Sequence, residues 1–286
     1  MATFSTTYAG KDAAGLLGKA IASVASFAQG GFMIDENARG KAVLRLVDQA
    51  AAGWVADDGT FADQADLAFD DKAITLVYRK INEVIKKTSL SVDWLSVNKQ
   101  AGAIGGLSGA DQAKIVEEVI RLIAAATDSL IWASIITEVN ADSDVNDVSI
   151  ATLTSANVVA QLSLIAEDYA DLTNNVGEAQ FYMHPSNVAK LNTAQSGLGT
   201  NDARGFKADN FGGYKIISSL AIPDAKILLT PKENMHFAID RYSDLSAVRI
   251  LDQSQTTGAN VLHIVANAAL AASYARGAEI VLATAS

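Results

Sequence analysis

The chain has no cysteine in its 286 residues, which excludes disulfides, thiolate metal sites and a cysteine nucleophile together. That composition fits folding in a reducing cytoplasm without requiring it. Proline is scarce, with three residues, so few rigid linkers separate the elements. Positive charge is also in short supply: 22 Lys and Arg against 32 Asp and Glu give a net charge of -10 and a pI near 4.7. A chain of that charge offers no whole-molecule basic footprint to nucleic acid or to an anionic membrane, although a local basic face is compatible with it. Long hydrophobic runs are missing too. The nearest approach, Val119–Ile136, is broken by Arg121, Thr127, Asp128 and Ser129, short of the ~20 uninterrupted apolar residues of a membrane span. The N-terminus has no basic lead and Lys19 interrupts its apolar part, so it does not read as a signal peptide.

What is present is ample apolar material. Hydrophobic residues make up 50% and charged residues 19%, enough to fold one large or two modest domains rather than stay disordered. Two runs, Lys41–Val47 and Lys72–Ile81, alternate with the period of paired strands. Between them lie Asp48, Asp57, Asp58, Asp63, Asp66, Asp70 and Asp71, with no Lys or Arg, and the apolar Trp54, Val55, Phe61, Leu67 and Phe69. The pattern predicts a long hairpin with an acidic tip. Such a ribbon is not stable alone, so something outside it must cover it. Arg79, Lys80, Lys86 and Lys87 follow the acidic stretch, and opposite charges on one extended element invite head-to-tail pairing between copies.

Around the hairpin, Leu17, Ala20, Ile21, Val24 and Phe27 form one helical stripe. It belongs either to a helix on the chain's own body or to an arm on a neighbouring subunit. Glycines 102, 105, 106 and 109 precede a long helix, with Ser108 as N-cap and Asp111 in its first turn. From Ala110 to Val139 there is no Gly or Pro, a rod on the order of 45 Å. Asn140–Asp147 reads as a connector; Asp142, Asp144 and Asn146 have calcium-loop spacing, but the central Gly is absent and Leu153 stands where the bidentate Glu belongs. A helix over Ser155–Leu172, a strand over Ala179–Met183 and a short helix from Pro185 follow. Ser196–Gly213 reads as a flexible loop whose Arg204 and Lys207 are placed to meet a neighbour. Strands are expected at Tyr214–Ser218, Lys226–Leu229, Met235–Asp240, Ala247–Leu251, Val261–Val265 and Glu279–Ala283, with Ala266–Tyr274 ambiguous between strand and helix. Helices and strands without a regular βαβ repeat point to an α+β fold.

Catalytic signatures are wanting. His184, His236 and His263 share no metal-ligand spacing, and no nucleophile elbow, phosphate-binding loop or zinc-hydrolase helix occurs. The chain reads as a non-enzyme with no cofactor and no metal.

Trp54-Val55-Ala56-Asp57-Asp58-Gly59, then Phe69, Ile74, Leu76, Lys80 and Ile81 and the segment Leu90–Leu95, resemble the extension loop of tailed-phage major capsid proteins of the Hong Kong 97 fold. Leu228–Arg241 (LLTPKENMHFAIDR) resembles a late segment of the same family that ends in I-D-R, and the order of elements agrees over most of the chain. The resemblance implies an N-terminal arm (1–37), an extension-loop hairpin (38–83), a peripheral domain (84–140 and 236–275) with a spine helix over 108–139, and an axial α/β domain (141–235 and 276–286). It implies a structural protein of the virion capsid, assembled in the host cytoplasm, whose copies form hexamers and pentamers of an icosahedral shell. The shell would enclose double-stranded DNA without sequence-specific binding and without a membrane. About 37 residues precede the hairpin, too few for the long scaffolding segment of some family members, so either a separate scaffolding protein or none is expected, the former being favoured, beside a portal and, as an option, a decoration protein. With no Lys between Lys41 and Lys72, no crosslink is expected from the tip. Candidate inter-subunit contacts are Trp54, Asp57, Asp58, Phe61, Asp70, Asp71, Arg79, Lys80, Lys86, Lys87, Arg204 and Lys207. Competing readings are an encapsulin-like cargo shell and a soluble α+β enzyme or binding protein.

Overall fold

The computed structural model describes residues 5–9, 11–48, 68–86, 109–172, 179–197, 209–242, 246–252 and 261–286. Its longest strand, β13 (Val261–Tyr274), organises the first of two six-stranded sheets. Along one edge of β13 run β12 (Ala247–Asp252) and then β11 (Met235–Asp240); along the other runs β5 (Val77–Lys86), all antiparallel. Beyond them, β1 (Ser5–Ala9) pairs with β12 and β2 (Met33–Asp35) with β11. The Ala-rich stretch that the sequence left ambiguous is therefore strand. Ala favours helix by propensity, but ladder pairing with β5 and β12 and then with β11 along the whole stretch overrides it.

The second sheet has the order β6-β14-β10-β7-β9-β8. Its strands are β6 (Asn146–Ile150), β7 (Ala179–Met183), β8 (Asn210–Phe211), β9 (Tyr214–Ser218), β10 (Lys226–Pro231) and β14 (Val281–Ala285). Several details depart from the sequence reading. The connector before Ile150 ends in β6, which pairs in parallel with β14. The last strand starts at Val281, after a 3-10 turn at Gly277–Glu279. Part of the supposed flexible loop is a hairpin, β8 to β9, closed by Gly212 and Gly213 at φ +58° and +92°; two positive-φ residues are what a tight turn of right-handed twist needs. Residues 198–208, with Arg204 and Lys207, lie outside the described residues.

Between the sheets lies α3 (Gly109–Ala141), 33 residues and about 50 Å long. Within Lys114–Ala141 an 18-residue window reaches a mean hydropathy of 1.7, enough by length and composition to cross a membrane. The core accounts for that apolarity, since Ile131, Trp132, Ile135 and Val139 are all fully buried. Its remaining face is small and exposed (Ala125, Ala126, Ser129, Ala133) rather than apolar all round. Ser108 and the side chain of Asp111 are outside the described set. Helices α4 (Val158–Leu172) and α5 (Pro185–Gly197) pack on the second sheet through Leu162, Ile165, Tyr169 and Leu191.

The N-terminal stripe is buried on the chain's own body. Leu17, Ala20 and Ile21 of α1 (Lys11–Ala22), with Val24 and Phe27 around the short α2 (Ala25–Ala28), join the core shared by α3 and the first sheet. Phe27 and Phe32 meet edge to face at 5.2 Å, Phe32 meets Trp132 at 5.6 Å, and Trp132 meets Tyr182 of β7 at 5.5 Å. Offset and T-shaped pairs of this kind add to their burial. Polar groups in the junction are satisfied. The Trp132 indole N–H donates to Ser26 Oγ at 2.8 Å, Ser26 donates to Asp128 at 2.8 Å, and Ser219 donates to the other Asp128 oxygen. The Tyr182 hydroxyl donates to the Gly31 carbonyl at 2.6 Å.

Gly31 is required by that approach. A Cβ there would lie 3.0 Å from the Ser26 carbonyl oxygen, 3.0 Å from the Tyr182 ring and 3.1 Å from Ile217. Backbone and two buried side chains leave nowhere to yield. Gly31→Ala is expected to cost about 1–3 kcal/mol, read as a lower denaturant midpoint with an unchanged slope.

Candidate functional site

The hairpin is real, and it is built differently from its sequence pattern. Strand β3 (Lys41–Asp48) pairs with β4 (Ala68–Thr75) from Lys41↔Thr75 to Asp48↔Ala68, as a two-stranded sheet of its own. The run Lys72–Ile81, read as one strand, divides at Leu76. Before it the chain pairs with β3; after it, β5 pairs with β13 from Val77↔Leu270 to Lys86↔Val261. The period-2 pattern continues through the break because both halves are half-exposed strands. Leu76 itself is buried with Ala38, Ala238 and Ala269, which fixes the root of the ribbon to the first sheet. Among the described residues further out, Val43 is 54% exposed, so one face of the ribbon near its base is open.

The candidate contacts fall into three groups. Trp54, Asp57, Asp58, Phe61 and Lys87, like Arg204 and Lys207, lie outside the described residues. Asp70 and Asp71 are in β4, opposite Leu46 and Arg45. Arg79, Lys80 and Lys86 are in β5, opposite Ala268, Asn267 and Val261. The first two are exposed on opposite faces of one strand. Arg79 lines a cleft of about 280 Å³ beside Leu130, Ser134 and Glu138 of α3, while Lys80 is on the side away from the helix. The basic residues do not form one patch.

Sequence reasoning missed the anchor of the ribbon. Lys72 of β4 places its ammonium 3.6 Å from the centre of the Tyr274 ring, a cation–π contact. Burial lowers its pKa, opposed by the nearby Glu138 and Asp142 carboxylates. The Tyr274 hydroxyl donates to Asp142 at 2.6 Å, and Ser273 donates to Glu138 at 2.6 Å. Asp142 also accepts the Asp144 amide at 3.0 Å, and Asn146 has entered β6. The calcium-like spacing thus serves a turn into a strand. A second fastening lies at the other side of the root. Arg241 pairs with Glu36 at 2.9 Å and crosses α1 at Gly18, where any Cβ would collide with the guanidinium. A mid-helix glycine was the available sequence signal for this crossing.

No group of three or more potential metal ligands occurs among the described residues. His184, Ser186 and Asp224 have the composition of a hydrolase triad but not its connectivity. The Ser186 hydroxyl donates to Asp224, and His184 Nδ1 accepts the Ser186 amide at 3.1 Å, so the cluster caps α5.

Neither protein-family models nor curated protein sequences match this chain. Solved structures do. A chain of the satellite phage P4 procapsid that includes the size determination (Sid) protein aligns at a TM-score of 0.61 and 10% identity, covering 94% of this chain and 89% of that one. The capsid of the native GTA particle aligns at 0.58 and 13%, covering 92% and 91%. A virus-like particle from Pyrococcus furiosus aligns at 0.56 and 11%, covering 96% and 98%. Coverage this complete on both sides establishes the fold as the Hong Kong 97 type found in capsids.

The root generates a prediction with a definite sign. The Asp142 carboxyl is held below its ordinary value of 3.8, chiefly by the Tyr274 hydroxyl and then by the Asp144 amide. A lowered folded pKa contributes stability that is present above the unfolded value and lost as pH falls through the folded one. Tyr274→Phe is expected to cost about 1 kcal/mol near neutral pH and to flatten the loss of stability below about pH 4. Denaturant midpoints measured across that range check both.

Proposed function

We propose that this protein is the major capsid protein of a tailed phage, a structural subunit whose copies build an icosahedral shell around double-stranded DNA. The observation that carries the reading is the hairpin: a two-stranded ribbon in a sheet of its own, fastened at its root with Val43 exposed beside it, on a body with the fold of shell-forming chains. An uncovered ribbon is costly to a free monomer and useful to a subunit whose neighbour covers it.

In this reading residues 38–83 are the extension loop, α3 is the spine of a peripheral domain (84–140 and 236–275), and 141–235 with 276–286 form the axial domain. Heterologous contacts of ribbon to neighbour close into rings, giving hexamers and pentamers. A separate scaffolding protein, a portal and a decoration protein are the further partners. The P4 procapsid chain, solved in a particle including a size determination protein, supports a size-controlling partner of that kind. Assembly takes place in the host cytoplasm and the product is the virion capsid. A second reading, a shell subunit of a particle that is not a phage virion, is favoured by the 96% and 98% mutual coverage with the Pyrococcus furiosus particle.

Electron microscopy of the expressed chain tests the proposal, with rings or closed shells expected. A monomer that never assembles, with or without a scaffold, would sink it. Reversal of Asp57 and Asp58 to Lys is expected to lower assembly by about tenfold or more while leaving monomer unfolding nearly unchanged; equal loss of monomer stability would remove the tip from the contact.

A further inference from the structure

We infer that the cleft where α2, α3 and the turn after β9 meet binds a primary alkylammonium ion, with the Asp128 carboxylate as its counter-charge. The site belongs to a single chain and does not depend on assembly.

Asp128 of α3 is 7% exposed. One of its oxygens accepts from Ser26 at 2.8 Å and the other from Ser219. Both hydroxyls are engaged on their other side, since Ser26 accepts the Trp132 indole N–H and Ser219 accepts the Ala221 amide at 3.0 Å. Each gives Asp128 its single proton and nothing more. An ionised carboxylate has about four acceptor positions, so about half of them are used. Both donors, moreover, are neutral. No ion pair among the described residues includes Asp128. Buried charges are ordinarily met by an opposite charge, and here the described residues supply none.

Asp128 does not sit in closed core. With Ser219 it lines a cleft of about 730 Å³, within the size range of small-molecule sites and placed, as such sites often are, where separately packed units meet. The walls are apolar and mostly small: Ala25 of α2, Leu122, Ala124 and Ala125 of α3, and Ala221 after β9. Leu220, which also lines the cleft, is 79% exposed, a large apolar side chain open to a ligand. This combination selects the chemistry. An alkyl stem matches the alanine and leucine walls, and an ammonium head brings three N–H donors to the unused acceptor positions of Asp128. An anion is repelled by the same carboxylate. A hard metal ion needs several oxygen ligands, and no group of three or more potential metal ligands occurs among the described residues. Arg121 is the only cation among the described lining residues, and it pairs with Glu118 at 3.1 Å. Seven residues before Asp128, it lies about 10 Å away along the helix, so it leaves the carboxylate unmet. The alkylammonium group is carried equally by a free alkylamine and by a lysine side chain of a second copy.

The experiment uses the full chain, with butylammonium chloride as the probe and tetramethylammonium chloride at equal ionic strength as the control, which has the charge but no N–H to donate. Butylammonium is expected to raise the urea midpoint in a saturable way, as a ligand of the folded state does. It is also expected to shift the Trp132 indole N–H resonance, which senses Asp128 through Ser26. Tetramethylammonium is expected to do neither. Asp128→Asn is expected to weaken butylammonium binding about tenfold or more. Should that variant unfold, Ala125→Leu is read in its place; it fills the cleft from an exposed position, leaves the carboxylate alone and is expected to abolish the butylammonium response. Equal responses to the two cations, or a butylammonium response that either folded variant leaves undiminished, overturn the inference. Electron microscopy of the unmodified chain in saturating butylammonium then separates the two sources. Assembly lost to the probe assigns the native occupant to a lysine of a second copy, and unchanged assembly assigns it to a free amine. A chain that never assembles has no second copy to supply a lysine, so failure of the shell reading leaves the site standing with a free amine as its ligand.

Discussion

The Trp132 side chain is the constraint on which both halves of the molecule depend. Its ring sits between Phe32, from the segment after α2, and Tyr182, from the second sheet, while its N–H begins a relay through Ser26 to Asp128. Asp128 is 7% exposed, and a carboxylate so placed is tolerable only with donors on its oxygens. Ser26 supplies one from α2 and Ser219 the other from the turn after β9. One residue of α3 is thereby tied to the N-terminal helices and to the second sheet at once. The spine does not merely lie between two cores; its polar and aromatic groups hold them in register.

That rigidity gives the hairpin a fixed base. Leu76 is where the chain stops pairing with itself and joins the body, and three contacts of different chemistry surround the root: apolar burial at Leu76, the Lys72 ammonium over Tyr274, and the Arg241–Glu36 pair. Aromatic and ion-pair contacts are directional, so together they set where the ribbon points as well as whether it is attached. A ribbon that serves a neighbour needs a defined direction more than it needs cover.

The long spine helix, the mixed α+β class and the existence of a hairpin were legible because each rests on local periodicity. What was not legible rests on partners distant in sequence. The short strands STTYA, MID and NDVSI have weak strand patterns, and they are strands because β12, β11 and β14 lie beside them. Leu76 was hidden because alternation persists across a change of partner. Among the candidate contacts, charge was read correctly as a run along the sequence but not as faces of a strand. Arg79 and Lys80 are adjacent in the chain and opposite in space, while Arg249, 169 positions from Lys80 in sequence, shares its face through β13. Tyr274 and Asp142 drew no notice as root residues because neither is unusual until Lys72 is set beside them.

The charge distribution bears on how such a subunit can associate at all. With a net charge of -10, two copies repel at a distance, but exposed charges are screened beyond about 8 Å at physiological ionic strength. Repulsion therefore does little to oppose a contact that is locally complementary, and it discourages contacts that are not. Exposed ion pairs contribute little each, so charges at such a contact select and orient a partner more than they hold it. The larger share of the free energy must come from apolar area buried beneath them.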